Sequence, residues 1–371
     1  MATTFGIEEE FIFLDPITLR PADVAEQAFA QLTSEPAWAP FTHREFLASQ
    51  VEHASRVFTD LADAESALNA FRRRIADEAT RLGVLVASIG TTPDANAFPV
   101  VAHVERYERI VRDMAGLIGD HQFSGQHVHI GVPDREAGVV ALNAVRPWLP
   151  LLTAMAGNSP FFRGYDTGYE SWRTIQLRRW PTAGSPPRFR NAADYDRRIR
   201  ALIGMAGITD LHLVMWNVRL SEQLPTVEFR MADAQLTAED AILIAAVCRG
   251  LVEYALDTAG GPPREADIPM ELLSAAVMHA AHTGLRGVLY DPVTRGPSEA
   301  RVVLDRLLER IGPYLDRSGD APRVADLVAR LLQKGTGAIR QRAAFRRAGI
   351  EGLERLYSTT ICDDPDRRRA A

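Results

Sequence analysis

Cysteine is scarce. Two occur in 371 residues, Cys248 and Cys362, and neither has the spacing of a motif. Both read as reduced thiols of a cytoplasmic protein. Positive charge is not in excess either. Lys and Arg number 42 against 48 Asp and Glu, for a net charge of −6. That removes the electrostatic case for a nucleic-acid or membrane partner. The arginine runs Arg72–Arg74 and Arg367–Arg369 are local. The first sits on a helix and the second in a tail, about 360–371, expected to be disordered. No run approaches the roughly 18 apolar residues of a membrane span. No basic segment, apolar stretch and cleavage site precede the first strand, which again points to the cytoplasm. Internal repeats and low-complexity linkers are absent. What remains is ordinary for a globular protein, 46% hydrophobic and 24% charged, in a length that suits one large domain over 1–371 or two intimate ones.

The first apolar strand, Phe5–Leu14, carries three acidic residues in a row, Glu8-Glu9-Glu10. Side chains alternate along a strand, so Glu8 and Glu10 share one face, and Phe5, Ile7, Glu9, Phe11 and Phe13 share the other. Two adjacent carboxylates repel, and burying them uncompensated is prohibitive. A divalent cation with oxygen ligands compensates them, and Mg²⁺ is the natural choice. A solvated strand end is the blander alternative.

Further strands are expected at 46–53, 84–90, 123–132, 212–219 and 226–233, the last two as an antiparallel hairpin. Residues 55–81 have helical spacing, with Gly83 as a stop signal. Residues 135–157 read as a helix broken at Pro147 and Pro150. Thr237-Ala238-Glu239-Asp240 resembles a capping box that opens a helix to about Thr258. From 267 to about 350 the chain reads as helical. Strands and helices do not alternate regularly, which disfavours a doubly wound sheet or a TIM barrel. The fold expected is α+β: a curved, largely antiparallel sheet backed by helices, with a helical C-terminal third.

Four strands repeat one theme: an i, i+2 polar pair in an apolar setting. The pairs are Glu8 and Glu10, Gln50 and Glu52, His127 and His129, and Glu228 and Arg230. Each alone has a structural explanation, such as a solvated edge or a neutralised neighbour pair. One polar cavity lined by a sheet explains all four, and its carboxylates, imidazole and arginine suit Mg²⁺ and phosphate. No glycine-rich phosphate loop exists to help: Gly335-Thr336-Gly337 lies between helices and lacks the P-loop lysine. The irregular stretch Asn158–Arg173, continuing to Gly184, mixes aromatics, arginines and turn residues as functional loops do.

These motifs occur in a recognisable order. Gly6-Ile7-Glu8-Glu9-Glu10-Phe11 is followed by Gln50-Val51-Glu52, His127-Val128-His129-Ile130-Gly131-Val132, Asn158-Ser159-Pro160, Asp166-Thr167-Gly168-Tyr169, Arg179-Trp180-Pro181-Thr182-Ala183-Gly184 and Pro225-Thr226-Val227-Glu228-Phe229-Arg230. The chain resembles the carboxylate–amine ligase family, also called glutamate–cysteine ligase type 2, over about residues 4–350. The resemblance implies the glutamine synthetase/glutamate–cysteine ligase fold, whose sheet forms a funnel for ATP and divalent metal, Mg²⁺ or Mn²⁺. It implies ATP-dependent amide formation through an acyl phosphate between a small-molecule carboxylate, glutamate by default, and an amine or amino acid. It implies Glu8, Glu10, Glu52, His127 and Glu228 as metal ligands. Arg230, Glu228, Arg173 and Arg179 are then catalytic candidates, and His129, Arg219 and Asn158 are nucleotide-binding candidates. His53 departs from the pattern and is expected to reshape the pocket. A homo-oligomer is compatible with the resemblance. The alternatives are a metal-dependent hydrolase of the H-x-H type, which needs a barrel, and a non-catalytic ligand-binding relative, which should have lost carboxylates.

Overall fold

The computed structural model describes residues 3–205, 213–259 and 268–361. Cys362 and the tail beyond Ile361 lie outside the described residues. The strands are β1 (Phe5–Leu14), β2 (Thr42–Arg44), β3 (Gln50–Ala54), β4 (Leu85–Ala87), β5 (Gly125–Gly131), β6 (Phe161–Phe162), β7 (Tyr165–Asp166), β8 (Val218–Leu220), β9 (Thr226–Asp233), β10 (Val288–Asp291) and β11 (Gly296–Glu299). The helices are α1 (Ala25–Thr33), α2 (Leu61–Leu82), α3 (Glu105–Met114), α4 (Arg135–Val145), α5 (Leu149–Met155), α6 (Trp172–Leu177), α7 (Ala192–Met205), α8 (Ala238–Asp257), α9 (Met270–Thr283), α10 (Ala300–Ser318), α11 (Ala321–Lys334) and α12 (Gly337–Thr360).

The main sheet runs β2-β3-β1-β5-β9-β8, with β4 also pairing β1. Every pairing in it is antiparallel. The expected α+β architecture is therefore present, and the sheet is not the parallel barrel that an H-x-H hydrolase needs. The back of β1 is covered by α8 and, through Phe71 against Phe11, by α2. Glu9 points that way and is fully buried, and Arg72 of α2 neutralises it at 2.5 Å. Arg72 also donates to the carbonyls of Gln235 and Leu236. One member of the acidic run thus serves the core while its two neighbours face the cavity.

Local signals account for the helix ends. Gly83 caps α2 in the left-handed conformation at φ 70°, and the Asp60 side chain accepts from the Asp63 N–H at its start. Thr237 and Asp240 form the expected reciprocal capping box on α8. Sixteen of the 20 residues of α8 are buried, which makes it the central core helix. The 135–155 segment is long and apolar enough to cross a membrane, but 83% of its most apolar window is buried inside the protein. It breaks into α4, a short turn at Arg146–Trp148 and α5, as the prolines require.

Three expectations need correction. Phe46–Ser49 is a turn, and β3 begins only at Gln50. Residues 213–217 are not an extended strand; β8 starts at Val218. The C-terminal third contains the β10–β11 hairpin, with Pro297 inside a strand rather than between helices. Two-stranded pairing gives no long period to read in sequence, and the flanking helices masked it.

Candidate active site

The sheet's front face forms one wall of a cavity of about 580 Å³. Cross-strand register brings the polar pairs together. Glu10 of β1 lies opposite Glu52 of β3. Glu8 lies opposite His127 of β5. His129 lies opposite Glu228 of β9, which lies opposite Arg219 of β8. A bulge gives β9 an extra residue between Phe229 and Ala232, alongside His127. Bulges re-aim side chains and are frequent beside active sites.

The carboxylates fall into two groups whose ligand atoms lie within 4.8 Å of one another. The first is Glu8, His129 and Glu228. It is already balanced by cations. Arg219 grips both Glu228 oxygens at 2.7 and 3.1 Å, and Arg230 shares one of them. His127 Nδ1 bonds Glu8 Oε2 at 2.8 Å, and His129 Nε2 lies 3.2 Å from Glu8 Oε1. Burial works against the charge of Glu8, but the hydrogen bonds from His127 and His129 outweigh it and hold its carboxyl well below the usual range. For Glu228 burial is likewise overcome, by Arg230 and then Arg219, and its carboxyl is strongly acidic.

The second group is Glu10, Glu45 and Glu52. Burial, reinforced by Glu45, pushes the Glu10 carboxyl up to about 8. Glu45 is raised by burial. Glu52 is raised well above the usual range by burial and by Glu8, Glu45 and Glu10 together. The Gly125 N–H donates to Glu10 at 2.6 Å, which is little compensation for three carboxyls. Hard oxygen donors converging under mutual repulsion fit a divalent cation. The first group, with Glu228 saturated by guanidinium, fits one less well unless anionic phosphate arrives with it.

Placement of the other expected residues is mixed. Arg173, Arg219 and Arg230 all line the cavity. Arg173 comes from α6, whose N-cap Ser171 bonds buried Asp233 at 2.7 Å. A Cβ at Gly125 would collide with the Arg173 guanidinium, so a side chain there would push Arg173 out of this position. Nε of Arg173 is buried with no hydrogen-bond partner among the described residues. The chain's single lysine, Lys334, ends α11 outside the cavity wall, so arginines supply the cavity's strong cations.

Asn158 is not at the cavity. It is fully buried, donates to Ser88 and Ala234 carbonyls, and accepts from Gln341 of α12 at 2.7 Å. That is a latch between the 158–173 loop and α12. Arg179 is also off the wall and pairs with Asp120, which Arg163 contacts too. His53 faces the opposite side of β3 from Glu52 and stacks on Phe71 at 3.8 Å, so it does not shape the pocket. His129, rather than His127, completes the first ligand group; His127 stands between Glu8 and Glu10, with Nε2 3.9 Å from Glu10.

Glu45 was not foreseen. It precedes β3 on a turn and has no alternating partner, so nothing in strand periodicity marks it. The opposite wall was also missed. Phe46, Phe123 and Trp180 pack around His121 at 4.2 to 4.9 Å between ring centres, and Tyr107 packs edge-on against Phe46 at 5.4 Å. These aromatics are drawn from four separate segments.

Comparison with known proteins decides the family. The pattern of glutamate–cysteine ligase family 2 matches residues 4–359. The chain belongs to this family. It is therefore an enzyme, an ATP-dependent carbon–nitrogen ligase that forms amides. A Saccharopolyspora erythraea protein provisionally named glutamate–cysteine ligase 2-1 is 40% identical over 364 residues, 97% of this chain and 96% of that one. A Salinispora tropica relative with a similar provisional name is 40% identical over 349 residues, 94% and 92% of the two chains. Among solved structures, a glutamate–cysteine ligase from Francisella tularensis in complex with AMP superposes with a TM-score of 0.69 at 10% identity, covering 100% of this chain and 91% of that one. A bifunctional glutathione synthetase from Pasteurella multocida gives 0.66 at 16% identity, over 97% of this chain and 52% of that one. At such identities these two establish the shared fold alone.

Proposed function

We propose that the cavity joins a small-molecule carboxylate to an amine through an acyl phosphate at the expense of ATP. The observation that carries this is the opposition, in one cavity, of a repelling carboxylate triad and three arginines. Glu10, Glu45 and Glu52 would hold a divalent cation, Mg²⁺ or in its place Mn²⁺. When bound, that ion neutralises phosphate charge. Arg219 and Arg230 supply planar forks for phosphate oxygens, and Arg173 adds a third guanidinium to the same cavity wall.

In the first step a carboxylate oxygen attacks the γ-phosphorus. The new P–O bond forms as the bridge to the β-phosphate breaks, and ADP leaves with the electron pair. In the second step the amine nitrogen attacks the acyl carbon. The C–N bond forms, the C–O bond to phosphate breaks, and phosphate leaves with that pair. An amine arriving as ammonium gives up two protons, one ending on phosphate and one in solvent. The sheet face and aromatic wall exclude water, which would otherwise hydrolyse the acyl phosphate. Glutamate is the family's default carboxylate and cysteine its default amine. The cytoplasm is the compartment that fits an ATP-consuming enzyme.

The test incubates the protein with ATP, Mg²⁺ and a matrix of carboxylates and amines, reading ADP and product mass. The proposal expects ADP and an amide with one pair, and slow ADP release with the carboxylate alone. Phosphate release that depends on neither partner would contradict it.

A further inference from the structure

Asp233 ends β9, the strand that carries Glu228 and Arg230. Five positions separate it from Glu228, and alternation alone would put the two on opposite faces of the sheet. The bulge between Phe229 and Ala232 adds a residue, so Asp233 pairs with Gly125 and returns to the face of His127 and His129. Yet Asp233 is fully buried and does not line the cavity. The loop that leads into α6 covers it.

That loop is fastened to the carboxylate. Asp233 accepts from the Asn158 N–H at 2.8 Å, the Ser159 hydroxyl at 2.6 Å and the Ser171 hydroxyl at 2.7 Å. The same two hydroxyls hold the first turn of α6. Ser159 Oγ accepts from the Arg173 N–H at 3.0 Å, and Ser171 Oγ from the Thr174 N–H at 3.3 Å. From this turn the Arg173 side chain crosses Gly125, the residue that Asp233 faces across the ladder, and its Nη1 donates to the Arg230 carbonyl at 3.3 Å. Charge acts in the same direction. Arg230 repels the Arg173 guanidinium, while Asp233 and Glu10 attract it. Glu10 belongs to the cation site, so Asp233 is the counter-charge left for Arg173 once a cation takes Glu10. Burial opposes the charge of Asp233, and Arg173 is foremost among the groups that offset this.

We propose that Asp233 is a positioning residue of the ligase: through Ser159, Ser171 and its own charge it holds Arg173 over Gly125, beside Arg230 and toward the reacting groups. The inference rests on the ligase reading above and adds to it a residue that touches neither substrate nor cation. Two guanidinium groups side by side repel each other, and a flexible arginine can turn away. An anion fixed behind the wall removes that freedom before the substrates arrive, so the cavity meets the charge of the transferring phosphoryl group without rearrangement.

The test removes the anchor in two ways. Asp233→Asn keeps the shape and takes away the charge. Gly90→Ala leaves Asp233 in the sequence, but its new methyl would sit 2.6 Å from the carboxyl carbon and displace it; Gly90, like Asp233, does not line the cavity. Each change is made in the wild type and in Arg173→Gln, with kcat and the KM of ATP measured at saturating Mg²⁺, and the crystal structure of Asp233→Asn determined. In the wild type either change should lower kcat about tenfold or more and leave the KM of ATP within a factor of about three. In Arg173→Gln the same change should cost less than about twofold, because the group it positions is already gone. The crystal structure should show α6 in place and the Arg173 guanidinium withdrawn from Gly125. Losses that multiply in the Arg173→Gln background would make Asp233 a general structural anchor and overturn the proposal. So would a wild-type kcat in folded Asp233→Asn, or a guanidinium that has not moved. Absence of ADP with every carboxylate would fail the ligase reading itself, while the position of Arg173 in the crystal would still decide whether Asp233 holds it.

Discussion

Glu10 and Glu52 stand directly opposite each other on neighbouring strands, carboxyl facing carboxyl. Cross-strand pairs of this kind destabilise a sheet. Glu45 closes on the same point and adds to the repulsion. Replacing one of these carboxyls, whose ionisation the folded site opposes, should therefore stabilise the metal-free protein at neutral pH. Glu52→Gln is expected to raise the Tm in chelator by about 1–3 °C, and to abolish the additional rise that Mg²⁺ gives the wild type. A variant less stable than wild type in chelator, with an intact Mg²⁺ response, would remove Glu52 from the cation site.

Glu228 behaves in the opposite sense. Its carboxylate neutralises Arg219 and Arg230 in a buried setting. Glu228→Gln leaves two guanidinium groups without their counter-charge, and should cost about 2–4 kcal/mol of stability. Chemical denaturation measures this directly. Wild-type stability would mean that the arginines find compensation elsewhere.

Arg230 separates charge from geometry. Arg219 already engages both Glu228 oxygens, so neutralising Glu228 does not require the full fork of Arg230. Arg230→Lys retains the charge and loses the planar fork, and should lower kcat by about tenfold or more while leaving the KM of ATP within a factor of about three. A wild-type kcat at saturating Mg²⁺ would reduce Arg230 to a structural partner of Glu228.

Asn158 was expected to hold the nucleotide and is instead a latch. Its side chain bonds Ser88, Ala234 and Gln341, and a Cβ at Gly337 would collide with it. Asn158→Ala should cost about 2–3 kcal/mol by leaving buried carbonyls unpaired. The KM of ATP should not change in protein that remains folded. A selective rise in that KM would return Asn158 to the nucleotide site.

These contrasts indicate what the sequence made legible. The face shared by Glu8 and Glu10, the direction of Glu228 and Arg230 and the caps of α2 and α8 are local consequences of strand and helix period. Each could be read from a few neighbouring residues, and the ordered motifs then supplied the fold. Glu45 and the aromatic wall around His121 are set by tertiary approach of turns, which has no period. Asn158 and Arg179 sit in motifs of the resemblance, yet they secure loops whose partners, Gln341 and Asp120, lie far from them in sequence. Motif membership identified the neighbourhood of these two residues and not their job. The division of the carboxylates into a balanced and an unbalanced group depends on which arginine reaches which oxygen. Only coordinates supply that.

The acyl phosphate is the centre of the account, and oxygen transfer tests it most directly. The carboxylate found in the substrate matrix would be labelled with ¹⁸O in both oxygens and turned over with ATP and amine. One labelled oxygen should appear in inorganic phosphate for each amide formed, because the carboxylate oxygen that attacks the γ-phosphorus leaves with it. Label in AMP, or unlabelled phosphate at full conversion, would contradict the account.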